Sequence, residues 1–226
     1  MRRESSLTPE SNTLYIVAKA PVAGRVKTRL VGNAWNEGGV AALAGAFLTD
    51  TFSLATHPLV PARVVLALGG NPTDLPLPLL SLPHVPQGDG DLGERLTRLF
   101  AASFAGGAAS VCAIGSDTPH LPPAFLVEAF GRLASPDVDI VLGRADDGGY
   151  YLLGMNKPCP EVFERIDWGT AAVWAQTLAR AATANRRAAL LPPWYDIDTP
   201  ADLERLRRDL GRGVVTAPGT VAVFPL

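Results

Sequence analysis

Leu14-Tyr-Ile-Val-Ala-Lys-Ala-Pro-Val-Ala-Gly-Arg-Val-Lys-Thr-Arg-Leu30 begins as an apolar, β-branched run and ends as a basic loop. The unbroken apolar run at 14–17 predicts a strand buried on both faces, as in a parallel sheet covered by helices. The loop after it carries four cations, Lys19, Arg25, Lys27 and Arg29, around Pro21 and Gly24. In an open α/β sheet, ligands bind beyond the carboxyl ends of the strands. Cations gathered there are costly unless something anionic sits among them, and Lys and Arg heads neutralise phosphate oxygens well. Gly24 lets the backbone approach such a ligand. The plain alternative is a solvated basic loop with no ligand.

The bulk numbers fit one large domain, or at most two small ones, able to bury a proper core. It has 226 residues, 47% of them hydrophobic and 19% charged, a globular balance. A formal charge of −2 argues against a general nucleic-acid binder, so the basic loop is a local feature suited to a small anion. Two cysteines, Cys112 and Cys159, give neither a disulfide framework nor a CxxC metal site. No signal-like segment and no apolar run long enough for a bilayer is read, so a cytoplasmic setting without membrane partners is expected. Residues 1–13 read as a flexible leader, 14–210 as the folded unit, and 211–226 as a tail without an assigned role.

Along the chain, helical and strand patterns alternate. Val40, Leu43, Ala44, Phe47 and Leu48 predict a helix over 39–56, and 63–68 reads as a strand. The proline-rich stretch 72–86 predicts an irregular crossing with a short strand near its end. Gln87-Gly-Asp-Gly-Asp-Leu-Gly-Glu-Arg-Leu96 then starts a helix capped by Asp91. Further strands are expected at 110–115 and 139–143. A hairpin-like reversal at Asp146-Asp-Gly-Gly-Tyr150, with Gly148 and Gly149 at positive φ, predicts an antiparallel strand after it. A helix over 171–185, a short strand over 188–191 and a last helix striped by Leu203, Leu206 and Leu210 complete the series.

Acidic residues fall at matching places. Asp117 directly follows the buried run 110–115, at the same predicted sheet edge as the basic loop. Asp196 and Asp198 are two apart in an extended segment, so their carboxylates share a face and favour a cation beside them. Oxygen-only ligands suit Mg²⁺ or Mn²⁺. Each has a structural alternative: Asp117 as a turn residue before Thr118-Pro119, Asp198 as part of the final helix start, and Asp147 as a solvated hairpin residue.

With these segments in hand, the chain resembles the DUF2064 family of the GT-A, nucleotide-diphospho-sugar transferase superfamily. The matching pieces are Ala18-Lys-Ala-Pro-Val-Ala-Gly-Arg-Val-Lys-Thr-Arg-Leu30, the 87–96 segment, Ile114-Gly-Ser-Asp-Thr-Pro-His-Leu121, Asp147-Gly-Gly-Tyr-Tyr-Leu-Leu-Gly154 and Asp196-Ile-Asp-Thr-Pro-Ala-Asp-Leu203. Arg144 and Gly169 depart from the family pattern, which usually has proline and serine there. The resemblance implies a three-layer, Rossmann-like GT-A fold, mostly parallel with an antiparallel strand. It is also similar to phospholactate and phosphoenolpyruvate guanylyltransferases, whose carboxylates matching Asp117, Asp196 and Asp198 bind Mg²⁺.

Expected roles follow from both readings. Lys19, Pro21, Gly24, Arg25, Lys27, Arg29 and Gly93 would contact the nucleotide and its phosphates, with Lys27 and Asp117 at the chemistry. Asp117, Asp196 and Asp198 would hold the metal, while Asp147, Gly148 and Gly149 would line an acceptor pocket. The expected function is metal-dependent transfer from a nucleoside triphosphate or nucleotide sugar, leaning to nucleotidyl transfer onto a small phosphorylated acceptor. Glycosyl transfer, with a sugar acceptor, and a non-catalytic nucleotide-binding module are the alternatives. A P-loop is excluded because GxxxxGK[ST] spacing is absent, and a dinucleotide site because no GxGxxG follows the first strand.

Overall fold

The computed structural model describes residues 11–32 and 35–224. Its centre is a seven-stranded sheet in which the basic loop springs from a middle strand. In chain order the strands are β1 (Asn12–Lys19), β2 (Arg63–Gly69), β3 (His84–Pro86), β4 (Ser110–Gly115), β5 (Ile140–Ala145), β6 (Tyr150–Met155) and β7 (Ala188–Trp194). They lie in the order β3-β2-β1-β4-β6-β5-β7. β6 is antiparallel to both its neighbours, and every other pairing is parallel. All carboxyl ends except that of β6 therefore meet at one edge.

Helices α1 (Glu37–Ala55) and α3 (Pro123–Leu133) cover one face, and α2 (Leu92–Ala105) and α4 (Val173–Thr183) cover the other. The strands feed both layers by alternation. Leu14, Ile16, Cys112 and Ile114 pack with Leu48, Leu126 and Phe130, whereas Tyr15, Val111 and Ala113 pack with Leu96, Leu99 and Phe100. This two-sided burial explains why β1 reads as a continuous apolar run. Local sequence sets the helix starts. Asp91 and Glu94 form a capping box on α2, and Thr199 with Asp202 forms another on α5 (Pro200–Gly211).

A third apolar cluster has the larger consequence for function. Leu30, Val40, Leu43 and Phe47 pack with Tyr195, Ile197, Leu203, Leu206 and Leu210. It draws the end of the basic loop against the segment that precedes α5, although the two are far apart in sequence.

Several boundaries differ from the expectations. β1 starts at Asn12, so the leader expected over 1–13 is too long at its end; residues 1–10 lie outside the described residues. β7 continues to Trp194 through Pro192 and Pro193, which an edge strand tolerates. Only Gly148 of the hairpin pair has positive φ, at 92°. The tail contains a short helix, α6 (Pro218–Val223), packed on α1. Asp50 of α1 is buried and accepts from Gly219 N at 2.8 Å, Thr220 N at 2.7 Å and Thr220 Oγ1 at 2.6 Å. Contrary to the reading that no run could span a bilayer, α1 is long and apolar enough by length and composition. It is mostly buried between the sheet, α5 and α6, as a core helix is.

Candidate functional site

At the carboxyl edge lies a cleft of about 720 Å³. Lys19, Arg25, Lys27 and Arg29 line it, as do Asp117, Asp147, Gly149, Asp196 and Asp198. Sequence segments from both ends of the chain thus meet around one space.

Lys27 is the junction. Its backbone is in the left-handed region, with φ 46°, and its side chain turns inward, away from water. Nζ lies 2.7 Å from Asp117 Oδ1 and 2.5 Å from Asp198 Oδ1, and donates to Ile197 O at 2.6 Å. Burial alone would lower its pKa; the charges of Asp117 and Asp198, with their hydrogen bonds, outweigh it and hold the ammonium above its usual range. This revises the expectation that Lys27 meets phosphate: its donors already face three oxygens of the chain. Among the described residues the Asp117 side chain pairs with Lys27 rather than capping its turn, and its backbone O accepts from Ile197 N at 2.9 Å. Asp198 is likewise free of the helix start, because Thr199 and Asp202 supply that cap. Asp202 Oδ2 also accepts from Asp198 N at 3.2 Å and so fixes its backbone.

The acidic segment is held from below by rings. Tyr195 packs on His120 at 4.2 Å between centroids, Arg205 lies 3.7 Å above the Tyr195 ring, and Tyr195 OH donates to Asp209 Oδ2 at 2.7 Å. Burial pushes His120 down to about 3, so it stays neutral as a packing surface.

The carboxylates group differently from the expected metal set. Atoms of Asp147, Asp196 and Asp198 all lie within 4.8 Å of one another, and among the described residues Asp117 is not in that group. Lys27 bridges Asp117 to Asp198 of the cluster, while Asp147 is brought in by the β5–β6 turn, where its Oδ1 accepts from Gly149 N at 2.7 Å. Burial and then the charge of Asp147 push Asp196 up to about 6. Three clustered carboxylate oxygens fit a hard divalent cation such as Mg²⁺ or Mn²⁺.

Four expected residues stand outside the cleft lining among those described: Pro21, Gly24, Gly93 and Gly148. Their reasons are structural. Pro21 sits against Gly45 of α1, and Gly24 turns the loop at φ 73°. A Cβ on Gly93 would stand 2.7 Å from the Trp168 ring, so this glycine seats Trp168, which does line the cleft. A Cβ on Gly148 would lie 2.6 Å from Ala171 O. Gly169, one of the two departures from the family pattern, lines the cleft beside Trp168, whereas Arg144 does not.

The sequence reading missed Gln87 and Arg95, both of which line the cleft. The signal was present in the 87–96 segment, where a polar residue precedes a capped helix and a cation follows on its first turn.

A family model described as an uncharacterized protein conserved in bacteria (DUF2064) matches residues 51–170. The chain belongs to this family. The DUF2064 match includes Arg95, Asp117 and Asp147, and the basic loop and Asp196–Asp198 segment lie to either side of it. A crystal structure from Desulfovibrio desulfuricans G20, provisionally named a nucleotide-diphospho-sugar transferase, is 31% identical with a TM-score of 0.84. That match covers 95% of this DUF2064 chain and 94% of the other. Two more distant structures share the fold. A CMP:2-keto-3-deoxy-manno-octonic acid synthetase solved with CTP is 10% identical, TM-score 0.59, over 90% of this chain and 100% of that one. A 4-diphosphocytidyl-2C-methyl-D-erythritol synthase from Anaerococcus prevotii DSM 20548 is 11% identical, TM-score 0.57, over 89% and 97%. No protein of curated function matches the chain.

Proposed function

We propose that this protein is a divalent-metal-dependent transferase that moves a nucleotidyl group from a nucleoside triphosphate to a small phosphorylated acceptor. One observation carries the reading: cations without a side-chain partner among the described residues and a three-carboxylate cluster line the same cleft. Lys19, Arg25 and Arg29 hold the phosphates of the incoming nucleotide. Asp147, Asp196 and Asp198 hold Mg²⁺ or Mn²⁺, with Asp117 and Lys27 keeping Asp198 in place. When bound, the metal offsets charge on the phosphate oxygens. An acceptor phosphate is already ionised, so no protein base is required; its oxygen attacks the α-phosphorus and the departing pyrophosphate takes the electron pair. The cations hold the reacting groups in line and stabilise the charge that leaves with pyrophosphate. Asp147 and the adjacent Gly149 face the acceptor side. The residues 14–210 carry this chemistry, and the buried free thiols Cys112 and Cys159 fit a reducing, cytoplasmic setting.

Glycosyl transfer from a nucleotide sugar is the second reading, favoured by the name of the 31% identical structure. A pyrophosphate-release screen of the four nucleoside triphosphates against small phosphorylated acids and sugars, run beside UDP- and GDP-sugars, separates the two. Pyrophosphate release that needs a divalent ion supports nucleotidyl transfer. Cleavage of nucleotide sugars without pyrophosphate release from any triphosphate overturns it. Nucleotide binding indifferent to metal and to Asp117→Asn, with no turnover, leaves a binding module.

A further inference from the structure

Arg95 is a cation of the cleft that sits apart from the basic loop. It stands on the first turn of α2, its Nη1 donates to Gln87 Oε1 at 3.0 Å, and its Nε is buried without a partner among the described residues. Gln87 is buried, and its amide nitrogen donates to Ala18 O on β1 at 2.8 Å and to Ala67 O on β2 at 2.9 Å. An amide nitrogen has two hydrogens, and the sheet takes both, which leaves the amide oxygen turned to Arg95. The guanidinium is thereby fixed relative to two strand ends, with no carboxylate paired to it among the described residues. Arg98 braces the loop before α2, donating to Gln87 O at 3.2 Å and to Asp89 O. The helix terminus does not account for the arrangement, because Asp91 and Glu94 already close it.

A half-buried guanidinium that lacks a counter-charge is costly until an anion reaches it. Its remaining donors form a planar fork that matches paired phosphate oxygens, which an ammonium would not reproduce. We propose that Arg95 grips the phosphates of the nucleotide and that Gln87 is the residue that positions it. The assignment rests on the transferase reading, since it takes the cleft to bind a nucleotide. The nucleotide is favoured over the acceptor because Gln87 ties Arg95 to the ends of β1 and β2, the half of the sheet that bears Lys19, whereas Asp147 and Gly149 come from the β5–β6 turn on the other half.

The test is calorimetric titration of the full chain with each nucleoside triphosphate, the matching nucleosides and inorganic tripolyphosphate. Wild type is compared with Arg95→Gln, Arg95→Lys, Gln87→Glu and Lys19→Ala. Arg95→Gln is expected to weaken triphosphate and tripolyphosphate binding about tenfold or more, with nucleoside binding unchanged and the melting temperature of the free protein not lowered. Arg95→Lys is expected to recover only part, because it restores charge without the fork. Gln87→Glu pairs Arg95 with a carboxylate but sets its second oxygen against the carbonyls of Ala18 and Ala67, so it is expected to lower the melting temperature and, in the pyrophosphate-release assay, to raise KM for the triphosphate more than it lowers kcat. Triphosphate affinity that falls in Lys19→Ala but not in Arg95→Gln overturns this assignment alone. A wild-type protein that binds neither triphosphates nor tripolyphosphate overturns both it and the transferase reading.

Discussion

The two halves of the cleft carry opposite charge and hold it by opposite means. In the loop after β1, Lys19, Arg25 and Arg29 are exposed, with no side-chain partner among the described residues. Water solvates them, so their presence costs the fold little. On the other side, Asp147, Asp196 and Asp198 crowd one another, and Lys27 reaches across to hold Asp198 and Asp117. The Lys27 side chain is only 9% exposed, whereas those of Asp117 and Asp198 are 47% and 35% exposed. The cationic half is a landing surface, tolerant of change. The acidic half is under electrostatic load, and changes there register in stability as well as in binding.

The contrast can be broken most directly by activity. Asp198→Asn is expected to reduce pyrophosphate release by about 100-fold or more, the range seen when one preorganised electrostatic group is lost. Arg25→Ala should cost only a few-fold, since its neighbours share the phosphate; equal losses for the two would erase the distinction. Stability is the next measure. Lys27→Met should lower unfolding free energy in urea by about 2–4 kcal/mol, less than a fully buried pair would give because its carboxylates are part-exposed. Lys19→Met should stay within about 0.5 kcal/mol. Adding Asp117→Asn to Lys27→Met should restore part of the loss, and no recovery would mean that repulsion is not what Lys27 relieves.

The seam between the halves gives a smaller effect. Gly93→Ala would press a methyl group against Trp168 and should cost about 1–3 kcal/mol, with a change in tryptophan fluorescence. An unchanged melting curve and spectrum would show that Trp168 is not seated there. The smallest effect is in pH. The carboxyl of Asp196 sits at about 6 in the fold against 3.8 as the ordinary value, so the metal-free fold binds its proton more tightly than the unfolded chain. That contribution is complete below the ordinary value and is lost as pH rises through about 6. A divalent cation must displace the same proton, so Mn²⁺ affinity should fall about fourfold between pH 7 and 5.5. Mn²⁺ affinity that does not change over that interval would remove Asp196 from the cation's ligands.

Much of this was legible in the residues. The apolar run of β1, the capped starts of α2 and α5 and the stripe Leu203, Leu206 and Leu210 are local patterns, and each element formed where its pattern lay. That the basic loop and Asp117 share one sheet edge was also anticipated, because both follow strands that end there. What sequence did not show was who pairs with whom. Lys27 looks like the other loop cations in one dimension, and only the packing of Leu30 on Ile197 turns it toward carboxylates. Asp147 replaces Asp117 in the acid cluster through the shape of a hairpin turn, and Gly93 serves a tryptophan 75 positions later. Such partnerships depend on tertiary closeness, which no local spacing encodes.

The clamp of Asp50 on Gly219 and Thr220 carries a consequence for assembly. During synthesis the helix bearing Asp50 is complete long before its donors, 169 and 170 residues away, have been made. Until they arrive that carboxylate must keep its water shell, and the apolar surface around it stays open to solvent. This clamp between α1 and α6 therefore closes only after residues 219 and 220 have been made.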